Sequence, residues 1–93
     1  MAQNYVKPFG EIDIVAEQAD CLVFVEVKLR KNSRYGTPGQ AVDLKKQRKI
    51  VKTAQAYLAE HGGFDRAVRF DVIEIFDRGD VPILRHLKGA FEA

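Results

Sequence analysis

Ninety-three residues leave room for one domain, spanning 1–93, and a single modest core. The composition, 46% hydrophobic and 30% charged with seven Gly and three Pro, excludes a disordered chain, and the longest apolar run, Cys21 to Val25, is far short of the roughly 20 residues of a membrane span. Net charge is only +2, yet Lys28 to Lys52 holds nine bases against the single acid Asp43, so that segment carries +8 and the remainder −6, the imbalance either of a surface that faces a polyanion or, more commonly, of a solvated helix face.

In chain order, Glu11 to Ala16 and Leu22 to Leu29 are rich in Ile, Val and Phe and are separated by Glu17, Gln18, Ala19 and Asp20, which predicts a β-hairpin. Alternation puts Ile12, Ile14 and Ala16 on one face of the first strand and Glu11, Asp13 and Val15 on the other. On the second strand Leu22, Phe24, Glu26 and Lys28 share a face opposite Val23, Val25, Val27 and Leu29. Both faces are largely apolar, so this strand is expected at the centre of the sheet with cover on both sides. Cys21 falls where a strand would bury it and serves packing; alone it makes neither an internal disulfide nor a zinc site.

Lys31 to Gly39 is loop chemistry, with Asn32, Ser33, Gly36, Pro38 and Gly39. Two helix starts are open, a capping box at Thr37 to Gln40 or an N-cap at Asp43, and the second is favoured, giving a helix from Asp43 to Glu60 stopped by Gly62 and Gly63. At about 100° per residue, Gln47, Ile50, Val51, Ala54 and Leu58 form the sheet-facing stripe and Lys45, Arg48, Lys49 and Lys52 the opposite side. Arg69 to Phe76 is a further strand. After a turn at Arg78, Gly79 and Asp80, Val81 to Leu84 is a short last strand, and the tail from His86 closes as a turn or short helix. The order β, β, α, β, β predicts an α/β fold with a mixed sheet, because the helix lets the next strand return parallel to the one before it.

The chemistry concentrates on the hairpin. Asp13 and Glu26 on neighbouring strands can converge on one hard cation, Mg2+ or Mn2+, with the main-chain carbonyl of Val27 as a third oxygen ligand. Lys28, on the face of Glu26, can orient a water or stabilise charge developing on a phosphoryl group. An isolated Glu-x-Lys is usually a solvated pair; here the strand is too apolar to be an exposed edge, and charges in a buried strand need a partner. Glu11 is either a second ligand or a solvated neighbour. His61 is expected to cap the helix end, His86 to be structural, Tyr35 to pack in its loop, and Asp71 to pair with Arg69 or Arg85.

Gly10-Glu11-Ile12-Asp13-Ile14-Val15-Ala16, Leu22-Val23-Phe24-Val25-Glu26-Val27-Lys28, Tyr35-Gly36-Thr37-Pro38, Gln40-Ala41-Val42 and Lys45-Lys46-Gln47-Arg48, with Arg69-Phe70-Asp71-Val72 and Ala90-Phe91, resemble the uncharacterised bacterial YraN-type family over almost the whole chain. That family is similar to archaeal Holliday-junction resolvases within the PD-(D/E)xK nuclease superfamily. The resemblance implies a restriction-endonuclease-like three-layer sandwich, metal ligands at Asp13 and Glu26, the catalytic lysine at Lys28, and Gln47 as the helix glutamine near the site. Such proteins usually begin with a helix bearing a further glutamate and then a strand. Only Met1 to Phe9 stand in that place, so an N-terminally shortened version with one side of the sheet bare is expected. The expected protein is a cytoplasmic, Mg2+-dependent endonuclease acting on nucleic acid, DNA ahead of RNA, through Arg30, Lys31, Arg34, Lys45, Arg48, Lys49 and Lys52. The alternatives are a catalytically silent nucleic-acid-binding domain of the same fold, and an interaction domain whose carboxylates only hold the hairpin. A domain this small buries roughly 60 to 65% of its unfolded surface, so a homodimer is expected and no membrane partner.

Overall fold

The computed structural model describes residues 2–30, 42–62, 65–76 and 83–92. Five strands, β1 (Ala2–Lys7), β2 (Gly10–Gln18), β3 (Cys21–Arg30), β4 (Ala67–Phe76) and β5 (Ile83–Phe91), form one sheet in sequential order, with α1 (Leu44–His61) between β3 and β4. β1–β2, β2–β3 and β4–β5 are antiparallel, and β3–β4 is the parallel pair that the helical crossover allows. This mixed sheet with its helix is consistent with a restriction-endonuclease-like α/β sandwich. Among the described residues one helix covers the sheet. The 31–39 loop, the Thr37 start, and the turn at Arg78 to Asp80 lie outside the described residues.

β3 is central because both its faces are apolar: Leu22, Val23, Phe24 and Val25 are all buried. The core joins Ile12 and Val15 of β2, Leu22 and Phe24 of β3, Phe70 and Val72 of β4, and Ile50, Ala54, Tyr57 and Leu58 of α1. Phe24 stacks on Phe70 and meets Tyr57 edge-on, which fixes the helix across the middle of the sheet. α1 starts where Asp43 caps it, the carboxylate accepting the Lys46 N–H at 2.8 Å, and ends at Gly62, whose N–H donates to the Leu58 carbonyl. Its last turn is closed by His61, stacked on Tyr57 and bonded to that residue's carbonyl.

Three features depart from the expectations. Residues 2–7, expected to hold no element, form β1. Gln3, Asn4 and Lys7 hide the strand in the sequence, but Ala2 and Tyr5 gain partners in the core and pairing with β2 outweighs local preference. β5 runs on to Phe91 instead of ending at Leu84, because Leu87 and Phe91 pack on the core while Gly89, at φ 60°, absorbs a register shift opposite Asp71. Finally, strict alternation fails in β2. Ile12 and Val15 both face the helix, as do Tyr5 and Ala2 opposite them, and the break lies at Asp13 and at Asn4, which has φ 52°.

Candidate active site

The break in β2 creates the site. Pairing with β3 runs from Gln18 opposite Cys21 to Ile14 opposite Val25 and stops there. Beyond that point the Asp13 carboxylate, not a main-chain carbonyl, accepts the Val27 N–H, at 2.8 Å. Asp13 is thereby held beside Glu26, near enough for its carboxyl to act on that residue's pKa through hydrogen bonding and charge. Asp13 also lines an open cleft of about 320 Å³ with Gln3, Asn4, Ile14 and Val27.

Glu26 is buried on the helix side of β3. Burial, then the hydrogen bond and negative charge of Asp13, raise its pKa from 4.5 to about 7, against the opposing pull of Lys46 and Lys28. When protonated it donates to Asp13. Its Oε2 is fully enclosed with no hydrogen-bond partner, and the Lys46 ammonium lies 3.4 Å away. Half-buried Lys28 lies two residues on along β3, in register with Glu74 of β4. Thus Asp13, Glu26 and Val27 are brought together with two lysines around them. No group of three acidic, His or Cys side chains occurs among the described residues. Glu11 is exposed and lines a separate cleft with Lys46 and Lys49.

α1 meets this point with Lys46, a residue the sequence analysis left out. At about 100° per residue, Lys46, Ile50, Thr53 and Tyr57 fall in one stripe, and the last three are buried. Reading Thr53 and Tyr57 as sheet-facing would have turned the predicted stripe by half a step and brought Lys46 inside it, toward one edge. Gln47 lies on the flank, where its amide donates to the Val42 carbonyl at 3.0 Å beside a groove shared with Leu44 and Val51. Lys45, Arg48, Lys49 and Lys52 are exposed, but Lys49 and Lys52 lie on the side of α1 that borders the β1–β2 turn, Lys49 beside Gly10 and Lys52 over the Phe9 ring. The side chain of Arg30, and Lys31, Arg34 and Tyr35, lie outside the described residues.

A second buried carboxylate, Asp71, occupies the face of the sheet opposite α1. Arg69 forks onto both its oxygens at 2.7 and 2.8 Å, His86 Nε2 lies at 2.8 Å, and the Gly89 N–H donates at 3.0 Å. Burial alone would raise its pKa, but these partners outweigh burial and hold it below the usual aspartate value. Arg85 instead lies near Glu74. The cluster ties β5 to β4, a structural part for His86.

A model of "Uncharacterised protein family UPF0102" matches residues 1–75. The chain belongs to this family. Members include a protein of Geobacter metallireducens, 48% identical over 99% of this chain and 75% of its own length, and one of Myxococcus xanthus, 43% identical over 98% and 72%. A Symbiobacterium thermophilum member is 44% identical over the full chain and 80% of its own length. All are named only as UPF0102 proteins, so membership carries no activity with it. No described helix is long and apolar enough to cross a membrane.

Proposed function

We propose that this domain is the core of a divalent-metal-dependent nuclease that hydrolyses phosphodiester bonds in nucleic acid, DNA ahead of RNA, in the cytoplasm. The observation that carries the reading is the contact between the Asp13 and Glu26 carboxyls at a break in the sheet, with the enclosed Glu26 Oε2 lacking a hydrogen-bond partner. Two acids held together in this way need a proton or a cation between them, and an oxygen donor set suits Mg2+ or Mn2+. In this reading Asp13, Glu26 and the Val27 carbonyl hold the ion, which supplies polarisation of a phosphoryl oxygen and ionisation of a water. Lys28 stabilises the charge that develops on the phosphoryl group. Gln47 acts by fixing the first turn of α1 through Val42. Lys45, Arg48, Lys49 and Lys52, with Arg30, Lys31 and Arg34, neutralise phosphates and position the strand without reading bases.

Among the described residues no third acidic, His or Cys side chain joins Asp13 and Glu26, which favours a second reading, a silent nucleic-acid binder. Cleavage of branched, duplex and single-stranded substrates with Mg2+ or Mn2+ separates the two. Asp13→Ala and Glu26→Ala are expected to abolish cleavage and leave binding largely intact. Charge reversal at Arg48 and Lys49 is expected to weaken binding to all sequences and to flatten its salt dependence. Salt-dependent binding without cleavage, for any ion or substrate shape, leaves only the silent binder; absence of binding removes both readings.

A further inference from the structure

Lys46 has two places to put its charge. Its ammonium lies 3.4 Å from Glu26 Oε2, an enclosed oxygen with no hydrogen bond of its own. The same side chain is 39% exposed and lines an open cleft of about 340 Å³ with Lys49 of α1 and Lys7, Phe9 and Glu11 of the β1–β2 turn. The backbone of Lys46 is fixed, since its N–H is the one that Asp43 caps. The side chain alone can therefore move. Apart from the Asp43 cap the first turn of α1 contains no acid, and it carries Lys45 and Lys46 at the positive end of the dipole. A cation kept there against that field is paired with something on the sheet, and the partner is Glu26.

We propose that Lys46 is a resident counter-ion of Glu26, exchanged for the divalent cation when the ion binds and then turned into the Lys49 cleft, where its ammonium meets a substrate phosphate. The inference rests on Asp13 and Glu26 being the ion's ligands. A divalent ion at Glu26 repels an ammonium a few ångströms away, and the open cleft gives that ammonium a solvated alternative beside Lys49 that an anion makes favourable. Lys46 is thereby a positioning residue at Glu26 and a phosphate contact only in the ion-loaded state.

The test measures Mn2+ binding by calorimetry in the absence of nucleic acid. Removing the internal competitor in Lys46→Gln should tighten Mn2+ binding by about tenfold. Lys46→Arg should keep the wild-type value, and Asp13→Asn should lose binding. Mn2+ bound by Lys46→Gln no more tightly than by wild type overturns the exchange and leaves the ion site standing. Failure of both proteins to bind Mn2+ removes the ion site and the exchange together. Affinity for a duplex probe, read by anisotropy in Ca2+ and in EDTA, tests the second half. The loss caused by Lys46→Gln should be several-fold larger in Ca2+; an equal loss in both conditions overturns the handover to phosphate.

Discussion

Glu26 and Asp71 are both buried acids on neighbouring strands, and their surroundings drive them in opposite directions. Asp71 faces Arg69, His86 and a main-chain N–H; Glu26 faces another carboxyl across the gap in β2. The signs follow from proton linkage. Between pH 4.5 and about 7 folded Glu26 keeps a proton that the unfolded chain has released, so stability falls as pH rises through that window, by on the order of 3 kcal/mol in full. Asp71, held below its ordinary value, contributes stability that is lost only as pH falls through its lowered pKa. Urea unfolding in EDTA should therefore show ion-free protein losing stability from pH 5 to pH 7.5, and Glu26→Gln should remove most of that slope. An unchanged slope in the variant would place its origin elsewhere. At this scale Asp13, Glu26 and Lys28 were legible because charges interrupt otherwise apolar strands. Lys46 was not: a lysine in a run of lysines carries no mark until Thr53 and Tyr57 show which side of the helix is buried.

The elements that position the site meet at Gly10, where β2 starts beneath α1. A Cβ there would lie 2.5 Å from Thr53 Oγ1 and 3.2 Å from the Lys49 carbonyl, and the hydroxyl is itself bonded to that carbonyl. The main chain of the helix cannot give way, so Gly10→Ala should push α1 off the sheet and cost about 1–3 kcal/mol in urea unfolding. Thr53→Ala in the same chain should recover part of the loss; no recovery would mean that the Lys49 carbonyl alone sets the limit. β2, β3, β4 and α1 could be read from their runs of apolar residues and from Asp43 and Gly62, although the faces assigned within β2 were upset by the break at Asp13. β1 and β5 could not. Their apolar residues are spaced by irregular backbone at Asn4 and Gly89, and such spacing has meaning only once the neighbouring strand is known.

Across the whole molecule, the face opposite α1 presents Leu29, Ile75 and Leu84 side by side on β3, β4 and β5, with Leu29 68% and Leu84 64% exposed. A marginal core with such a row on its surface favours association. We propose a homodimer through this face, and light scattering should give twice the chain mass, falling to the monomer in Leu29→Glu/Leu84→Glu. A monomer at every concentration would refute it. The sheet's outer edges argue for face-to-face contact. β1 and β5 each contain a residue with left-handed backbone, Asn4 at φ 52° and Gly89 at φ 60°. Each interrupts the row of amide and carbonyl groups with which an incoming strand would pair, which disfavours growth of the sheet by edge addition. The kink at Asn4 and Asp13 that opens β2 thus also spoils β1 as a template for a further strand, as Gly89 does for β5.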